Sequence, residues 1–505
     1  MDTGNSGSRL RRRLPVVIIL TLIMALSAVV VVMALAPSDF NAADGDLEVY
    51  PPPPVERDWE SLGIVCPAGP GGGEGCSVDE PTGQNDNAFG QGAKEDSTDP
   101  AVVFGSIPNN KSDLLRLYIH SEQVSGKDFL YLGWVRVSEP TGTTNMDFEL
   151  NQNQCVYDEQ DNLVDGSVCS ANGVTPARTA GDLLIKYDLA QGGTVPELGY
   201  HVWLTEAYAL ADPDIPDSAG DACEANNSFP CWGVVQQLAL NDNFEGSIND
   251  PDAVYDPIVD ETLDPRTFGE AAVNLTDSGI FPEDSCLNYG SAFVKSRASD
   301  AFTAELKDFI APIPVTISNC GSIVVGKATI PNYATQEFPF QASWLGDGSE
   351  EYDFMLSHGE EYIDNAVEPG TYSVSELVPE GWDLKQVYCD SSNGDLETED
   401  NIDLQAGETV TCAFINEQDS NIIVEKMTDP AGATQEFPFQ ASWLGDGSEE
   451  YDFTLMDNEQ HDSGDLDPGT YSVSELVPAG WDLEDVTCTS SKGDTETEDS
   501  ISLQA

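Results

Sequence analysis

The sequence predicts an all-β chain made of several β-sandwich domains. Three observations carry this. Short alternations of apolar and polar residues, broken by Gly, Pro and Asp, recur along the chain and read as strands. The C-terminal part has no segment of helical period. A unit of roughly a hundred residues, about seven short strands, occurs there twice. ATQEFPFQASWLGDGSEEYDF at Ala334–Phe354 returns at Ala433–Phe453, and PGTYSVSELVP at Pro369–Pro379 returns at Pro468–Pro478, both 99 residues later. A fixed offset of that size marks tandem modules, each large enough for its own core.

Residues 1–36 read as a targeting segment. Arg9, Arg11, Arg12 and Arg13 form a basic start, Leu14–Ala36 carries no charge, and Ala34-Leu35-Ala36 is an A-x-A cleavage match. The apolar run is long enough to span a bilayer uncut, so residues 14–36 are either a signal peptide cleaved after Ala36 or an N-terminal membrane anchor. Positive-inside places the remainder outside the cytoplasmic membrane in both cases. A targeting helix is expected here.

Residues 37–98 read as an acidic, Pro/Gly-rich spacer. Pro51–Pro54 is a stiff polyproline stretch, and Cys66 and Cys76 bracket a Gly- and Pro-rich loop. Residues 99–320 read as one large, jelly-roll-like β-sandwich domain. Its strand-like runs are Phe129–Val137, Leu183–Tyr187, Tyr200–Leu204, Gly233–Leu240 and Val315–Ser318. Residues 321–418 are the first repeat and 419–505 the second. The first continues past Leu404-Gln405-Ala406 into GETVTCAFINEQ, whereas the given sequence ends at Leu503-Gln504-Ala505, so the second repeat is expected to be incomplete.

Within the first repeat, Phe338, Phe340, Ala342 and Trp344 share a face, Asp347-Gly348 signals a hairpin, and Tyr352, Phe354 and Leu356 return. Strand parity puts three polar side chains on apolar faces. Lys327 follows Ile323 and Val325, Glu376 follows Tyr372 and Val374, and Asn416 follows Val410, Cys412 and Phe414. Val324 and Ile415 are apolar on the opposite faces, so these strands are open to being covered on both sides. The second repeat keeps Lys426 and Glu475. Inward polar groups left unpaired are costly, so Lys327, Glu376 and Asn416 are expected to meet.

The pattern I-x-V-x-K, G-T-Y-x-V-x-E-x-x-P-x-G-W and F-x-N resembles the SpaA-like prealbumin-fold modules, relatives of the CnaB repeats in Gram-positive adhesins and pilins. The resemblance implies a prealbumin- or Ig-like sandwich in each repeat. It also implies an autocatalytic isopeptide in which Lys327 is the nucleophile, Asn416 the acceptor amide and Glu376 the proton relay. The alternative is a buried Lys–Glu pair with Asn416 as a hydrogen-bond partner and no covalent bond. The second set, Lys426 and Glu475, is incomplete in the given sequence, which lacks the matching Asn, so as given it is not expected to close. The large domain resembles the β-sandwich that often precedes such repeats in actinobacterial surface proteins. Asn110–Leu114, Phe129–Trp134, Asn145–Glu149, Val273–Thr276, Lys295–Ser299 and Leu306–Phe309 carry that likeness. It implies a cell-surface location and no known reaction.

The charge balance is extreme. Twenty basic and 90 acidic residues give a formal −70. Such a field disfavours nucleic acid and anionic membrane as partners. It suits a halophilic or alkaliphilic source, a generic acidic secreted protein being the plainer alternative. Eleven cysteines fit an oxidising compartment. Sequence-near partners suggest Cys66–Cys76, Cys155–Cys169, Cys223–Cys231, Cys286–Cys320 and Cys389–Cys412, which leaves Cys488 unpaired. His120, His201, His358 and His461 share no motif, and the chain has no C-x-x-C, H-E-x-x-H, G-x-S-x-G or phosphate-binding glycine loop. Asp212, Asp214 and Asp221, and Asp347 with Glu350 and Glu351, lack EF-hand spacing and read as solvated acidic loops. No metal, cofactor or enzymatic activity is therefore expected.

The function these features imply is a non-enzymatic, secreted or anchored surface protein with its repeats as a stalk. The envelope component or surface ligand it would engage is not specified. An alternative is a ligand- or carbohydrate-binding module in residues 99–320, for which Trp203 and Trp232 are candidates if exposed. A third reading, an extracellular hydrolase, finds no motif.

Overall fold

The structure, a computed structural model, describes residues 35–49, 57–80, 83–105, 110–140, 145–157, 163–164, 166–190, 194–282, 285–346, 351–445 and 450–504. The targeting segment up to residue 34, Pro51–Pro54 and the Asp347-Gly348 turn lie outside them. Among the described residues no helix is long and apolar enough to cross a membrane. The α-helices there are two short ones, Glu206–Ala211 and Ala219–Ala222, beside the 3-10 turns Trp59–Ser61 and Asn110–Ser112; the other regular elements are strands. The chain divides into two compact units, Met1–Ser278 with Tyr289–Thr316, and Gly279–Asn288 with Ile317–Ala505.

The first unit has two large sheets. One has six strands in the order Gly71–Gly72, Cys76–Val78, Leu114–Val124, Lys127–Arg136, Phe268–Asn274 and Phe244–Ile248. The other has ten, and its central part runs Val195–Leu204, Leu183–Ala190, Asn145–Asn151, Asn288–Arg297, Leu306–Phe309, Asn87–Phe89. Asn145–Asn151 and Phe268–Asn274 are buried at every position, because both faces of each are covered. Period-two alternation fails in such strands, which is why their charged residues give no warning of burial. Gly233–Leu240, expected as a strand, forms one only at Gln236–Gln237.

Residues 37–98 are not a spacer. Phe40, Leu47, Trp59 and Cys76 lie in one core with Tyr118, Phe129, Tyr131 and Phe268. Phe40 stacks on Tyr131 at 4.0 Å, and Trp59 Nε1 donates to Glu270 Oε2 at 2.9 Å. Cys76–Val78 pairs with Leu114–Val124, and Asn87–Phe89 with Leu306–Phe309. Strands of two or three residues with long-range partners leave no periodicity to read, so composition alone suggests a tether. The expected domain end at residue 320 also shifts. Gly279–Asn288 packs with the second unit through Cys286–Cys320, and Asn319 Nδ2 donates to the carbonyls of Pro282 and Ser285 at 2.9 Å.

In the second unit the first repeat is a sandwich. A five-stranded sheet runs Glu361–Val367, Gly321–Ile330, Thr409–Gln418, Trp382–Ser391, Leu396–Glu397. A three-stranded sheet runs Phe354–Leu356, Phe338–Ala342, Val374–Glu376. The edge strand Phe354–Leu356 excludes Tyr352, and Trp344 falls in a turn. Ile323, Val325, Phe338, Phe340, Val374, Val410, Cys412 and Phe414 fill the core. The second repeat keeps the three-stranded sheet as Phe453–Leu455, Phe437–Ala441, Val473–Glu475. Its first strand, Ile423–Glu425, has three residues against ten in Gly321–Ile330 and pairs with Gln460–Asp462.

Disulfides join Cys66–Cys76, Cys155–Cys169, Cys223–Cys231, Cys286–Cys320 and Cys389–Cys412, and Cys488 is free. The core role of Trp59 is testable. Trp59→Ala is expected to cost about 3–5 kcal/mol in denaturant unfolding of the full chain. It should also open residues 37–80 to limited proteolysis, which a mere tether would show in the wild type already.

Candidate functional site

The site grows from one pairing. Gly321–Ile330 and Thr409–Gln418, the first and last strands of the first repeat, run parallel, with Lys327 opposite Phe414 and Thr329 opposite Asn416. In Gly321–Ile330 alternate residues are buried, so Lys327 points inward with Ile323 and Val325. Asn416 points inward with Cys412 and Phe414. Glu376 comes from the facing sheet, where it pairs with Phe340. The three polar residues that parity put on apolar faces are thus brought together from two sheets.

Lys327 Nζ donates to Asn416 Oδ1 at 2.7 Å and to the carbonyls of Ala328 and Phe414 at 2.8 and 3.3 Å. It also lies 4.1 Å from the centre of the Phe338 ring. Glu376 Oε1 is 3.4 Å from Nζ, and both side chains have no solvent exposure. At that distance the carboxylate meets the ammonium as a neighbouring charge rather than through an aligned hydrogen bond. Asn416 Nδ2 makes no hydrogen bond.

Burial shapes the proton balance. It pushes the Lys327 ammonium below its ordinary value, and the Glu376 charge only partly offsets this. It pushes the Glu376 carboxyl up against the opposing pull of Lys327. Both shifts favour the neutral amine beside the neutral acid. That is the form in which an amine can attack an amide carbon while the acid manages protons.

In the second repeat, Lys426 Nζ is 2.8 Å from Glu475 Oε2 and 4.3 Å from the Phe437 ring centre. The same pair is present, slightly more exposed at 13% and 6%, and no amide meets it among the described residues. Cys389 and Cys412 bond directly across neighbouring strands of the first repeat, against the same core. Cys488 begins the short strand Cys488–Thr489.

Residues 336–414 match the family model of the prealbumin-like fold domain. The first repeat is similar to the SpaA-like prealbumin domains. The prealbumin match takes in Glu376 and stops just short of Asn416, with Lys327 before it. Among solved structures, the chain is similar to the major pilin protein T-13 of Streptococcus pyogenes. Identity is 11%, coverage is 56% of this chain and 91% of that one, and the TM-score is 0.18. It is similar also to the Bacillus anthracis TIE protein, at 16% identity, 50% and 49% coverage and a TM-score of 0.19. A third is a Mobiluncus mulieris adhesin described as containing intramolecular disulfide, isopeptide and ester cross-links. It has 12% identity, 60% and 97% coverage and a TM-score of 0.18. No curated protein matches the chain.

The motifs of the large domain hold a second polar core that parity did not find. Glu149 accepts from Arg178 Nε and Nη2 at 2.7 and 2.8 Å and from Lys295, and Arg297 pairs with Asp147. Burial alone would raise the Glu149 carboxyl, yet Arg178 and Lys295 hold it well below the usual range. Trp203 and Trp232 are buried against this network, 2% and 0% exposed, with their rings 5.1 Å apart. The Arg178 guanidinium lies over both rings at 4.8 and 4.9 Å. The exposure that would make them ligand-binding candidates is therefore not met. Asp212 is partly buried and Asp214 exposed in the loop, and Asp221 is exposed in the short helix Ala219–Ala222.

Removing one partner of the prealbumin pair should be worse than removing both. Glu376→Ala leaves a buried ammonium without its carboxylate and is expected to cost about 3–5 kcal/mol. The double variant Lys327→Met/Glu376→Leu, which leaves no buried charge, should be more stable than Glu376→Ala. Urea unfolding of the full-length variants checks the order.

Proposed function

We propose that the chain is a non-enzymatic structural protein of the cell surface, carrying a β-sandwich domain ahead of prealbumin-like stalk repeats. The observation that carries the reading is the dry contact of Lys327 Nζ with Asn416 Oδ1 at 2.7 Å beside Glu376, in a prealbumin-like domain. In this reading the neutral Lys327 amine attacks Asn416 Cγ. The protonated Glu376 gives its proton to the Asn416 carboxamide as the bond forms and takes one back from the attacking nitrogen, so that the leaving nitrogen departs as ammonia. One C–N bond forms, one C–N bond breaks, and ammonia departs. No oxidant is needed, and Glu376 ends in the state in which it began.

The bond would join the first strand of the module to its last, so tension applied at the two ends would bypass the sheets. Cys389–Cys412 would brace the same sheet. Residues 14–36 would deliver the protein across the cytoplasmic membrane, or hold it there if uncleaved. The partners would be the cell envelope or a surface ligand rather than nucleic acid. The binding-module alternative loses its two named aromatic candidates to the buried core.

The test is mass spectrometry of the reduced full chain and its tryptic digest. The wild type is expected to be lighter by one ammonia, with a branched peptide joining Lys327 to Asn416; Glu376→Gln should show neither. An unshifted wild type yielding separate Lys327 and Asn416 peptides would refute the covalent link.

A further inference from the structure

The large domain contains a second buried group of carboxylates with the opposite character to the Glu149 network. Asp79 directly follows the strand Cys76–Val78, Asp86 directly precedes Asn87–Phe89, and Asp308 lies within Leu306–Phe309, the strand that Asn87–Phe89 joins. They are 8%, 1% and 0% exposed. One carboxylate oxygen of each lies within 4.8 Å of the other two. Oxygens bound to one calcium at about 2.3–2.6 Å are separated by no more than roughly 5 Å.

The oxygens are also available. Asp79 Oδ1 accepts from the Glu80 amide at 2.9 Å, and Asp308 Oδ2 accepts from the Leu114 amide at 2.7 Å. Asp79 Oδ2, Asp308 Oδ1 and both oxygens of Asp86 are buried and make no hydrogen bond. Among the described residues, no lysine or arginine forms an ion pair with any of the three, whereas Glu149 and Asp147 each have their cations. A buried carboxylate without donor or cation is an expensive arrangement. Asp86, nearly inaccessible and with neither oxygen satisfied, is the observation that calls for a ligand.

We propose that Asp79, Asp86 and Asp308 bind a calcium ion. The donors are all carboxylate oxygens, with no imidazole or thiolate among them, which suits a hard cation and not zinc. Several carboxylates in an irregular, multi-strand setting suit calcium, whose coordination is flexible, better than magnesium, which demands a compact octahedron and keeps its waters. Asp113 is a further carboxylate close enough to act on the other three. Burial first, then the neighbouring carboxylates, raise Asp79 to about 8 and Asp308 to about 9; burial and then Asp113 raise Asp86 to about 6. A divalent ion removes that repulsion. Cys76–Val78 belongs to the six-stranded sheet, and Asn87–Phe89 and Leu306–Phe309 to the ten-stranded one. The ion therefore pins the connection between Asp79 and Asp86 where it passes from one sheet to the other.

The test uses the full chain, stripped with EDTA and titrated with CaCl2 or MgCl2 at physiological salt. Thermal unfolding and calcium content after dialysis are the readouts. The wild type is expected to retain one calcium per chain and to gain on the order of 5 °C in Tm at saturating calcium, with a much smaller gain in magnesium. Asp86→Asn should abolish the calcium shift yet melt at or above the wild type in EDTA, because it relieves the repulsion. Asp383→Asn, in the exposed group Asp383, Asp419 and Asp467, should keep the shift. An equal shift in wild type and Asp86→Asn would mean calcium on the acidic surface only, and would overturn the proposal. No shift and no retained calcium in the wild type would mean a cluster held by protons, and would overturn it too. Should Asp86→Asn fail to fold, the wild-type calcium content and its calcium-against-magnesium response decide alone.

Discussion

A lysine ammonium cannot rest in an apolar core unless acceptors and a counter-charge are brought to it, and the first repeat is arranged around meeting that demand. Lys327 enters the core on the first strand, between Ile323 and Val325 on one side and the Phe338 ring on the other. The parallel pairing of that strand with the last one places Asn416 in reach, and the facing sheet supplies Glu376. Each of the three groups is costly alone. Together they fix the register of the first strand against the last and the spacing of the two sheets. The same arrangement that satisfies the charge also holds an amine against an amide oxygen beside an acid.

The large domain meets the same constraint in a different way. Its motif strands are buried on both faces, and their charged residues are neutralised in a network where Arg178, Lys295 and Arg297 face Glu95, Asp147 and Glu149. Trp203 and Trp232 lie against this network and shield it. Buried ion networks of this kind contribute little net stability compared with apolar packing, but each member is costly to remove. Among the described residues Asp79, Asp86 and Asp308 lack such cations, which makes them stand out beside the paired carboxylates of the Glu149 network.

Much of the repeat was legible in the sequence, because a half-buried strand writes its orientation as alternation. Lys327, Glu376 and Asn416 broke that alternation at positions where apolar residues belonged, and the duplicated string fixed the module length. The cysteines were close enough in sequence for their partners to be guessed. Residues 37–98 were not legible. Phe40, Leu47 and Trp59 are isolated apolar residues among Gly, Pro and acidic neighbours, and their partners lie far along the chain. Asp79 and Asp86 were invisible as a site for the same reason, since the residue that completes the cluster, Asp308, is over two hundred positions away. Trp203 and Trp232 show a different limit: an aromatic residue in a strand does not announce which face it lines.

The proposed Lys327–Asn416 bond would tie the first strand of the first repeat to its last. Stretching single full-length molecules addresses this most directly. The account predicts that the 89-residue interval between Lys327 and Asn416 never adds to the extended length, while the flanking segments do. Release of that interval at ordinary unfolding forces in the wild type, indistinguishable from Glu376→Gln, would contradict it.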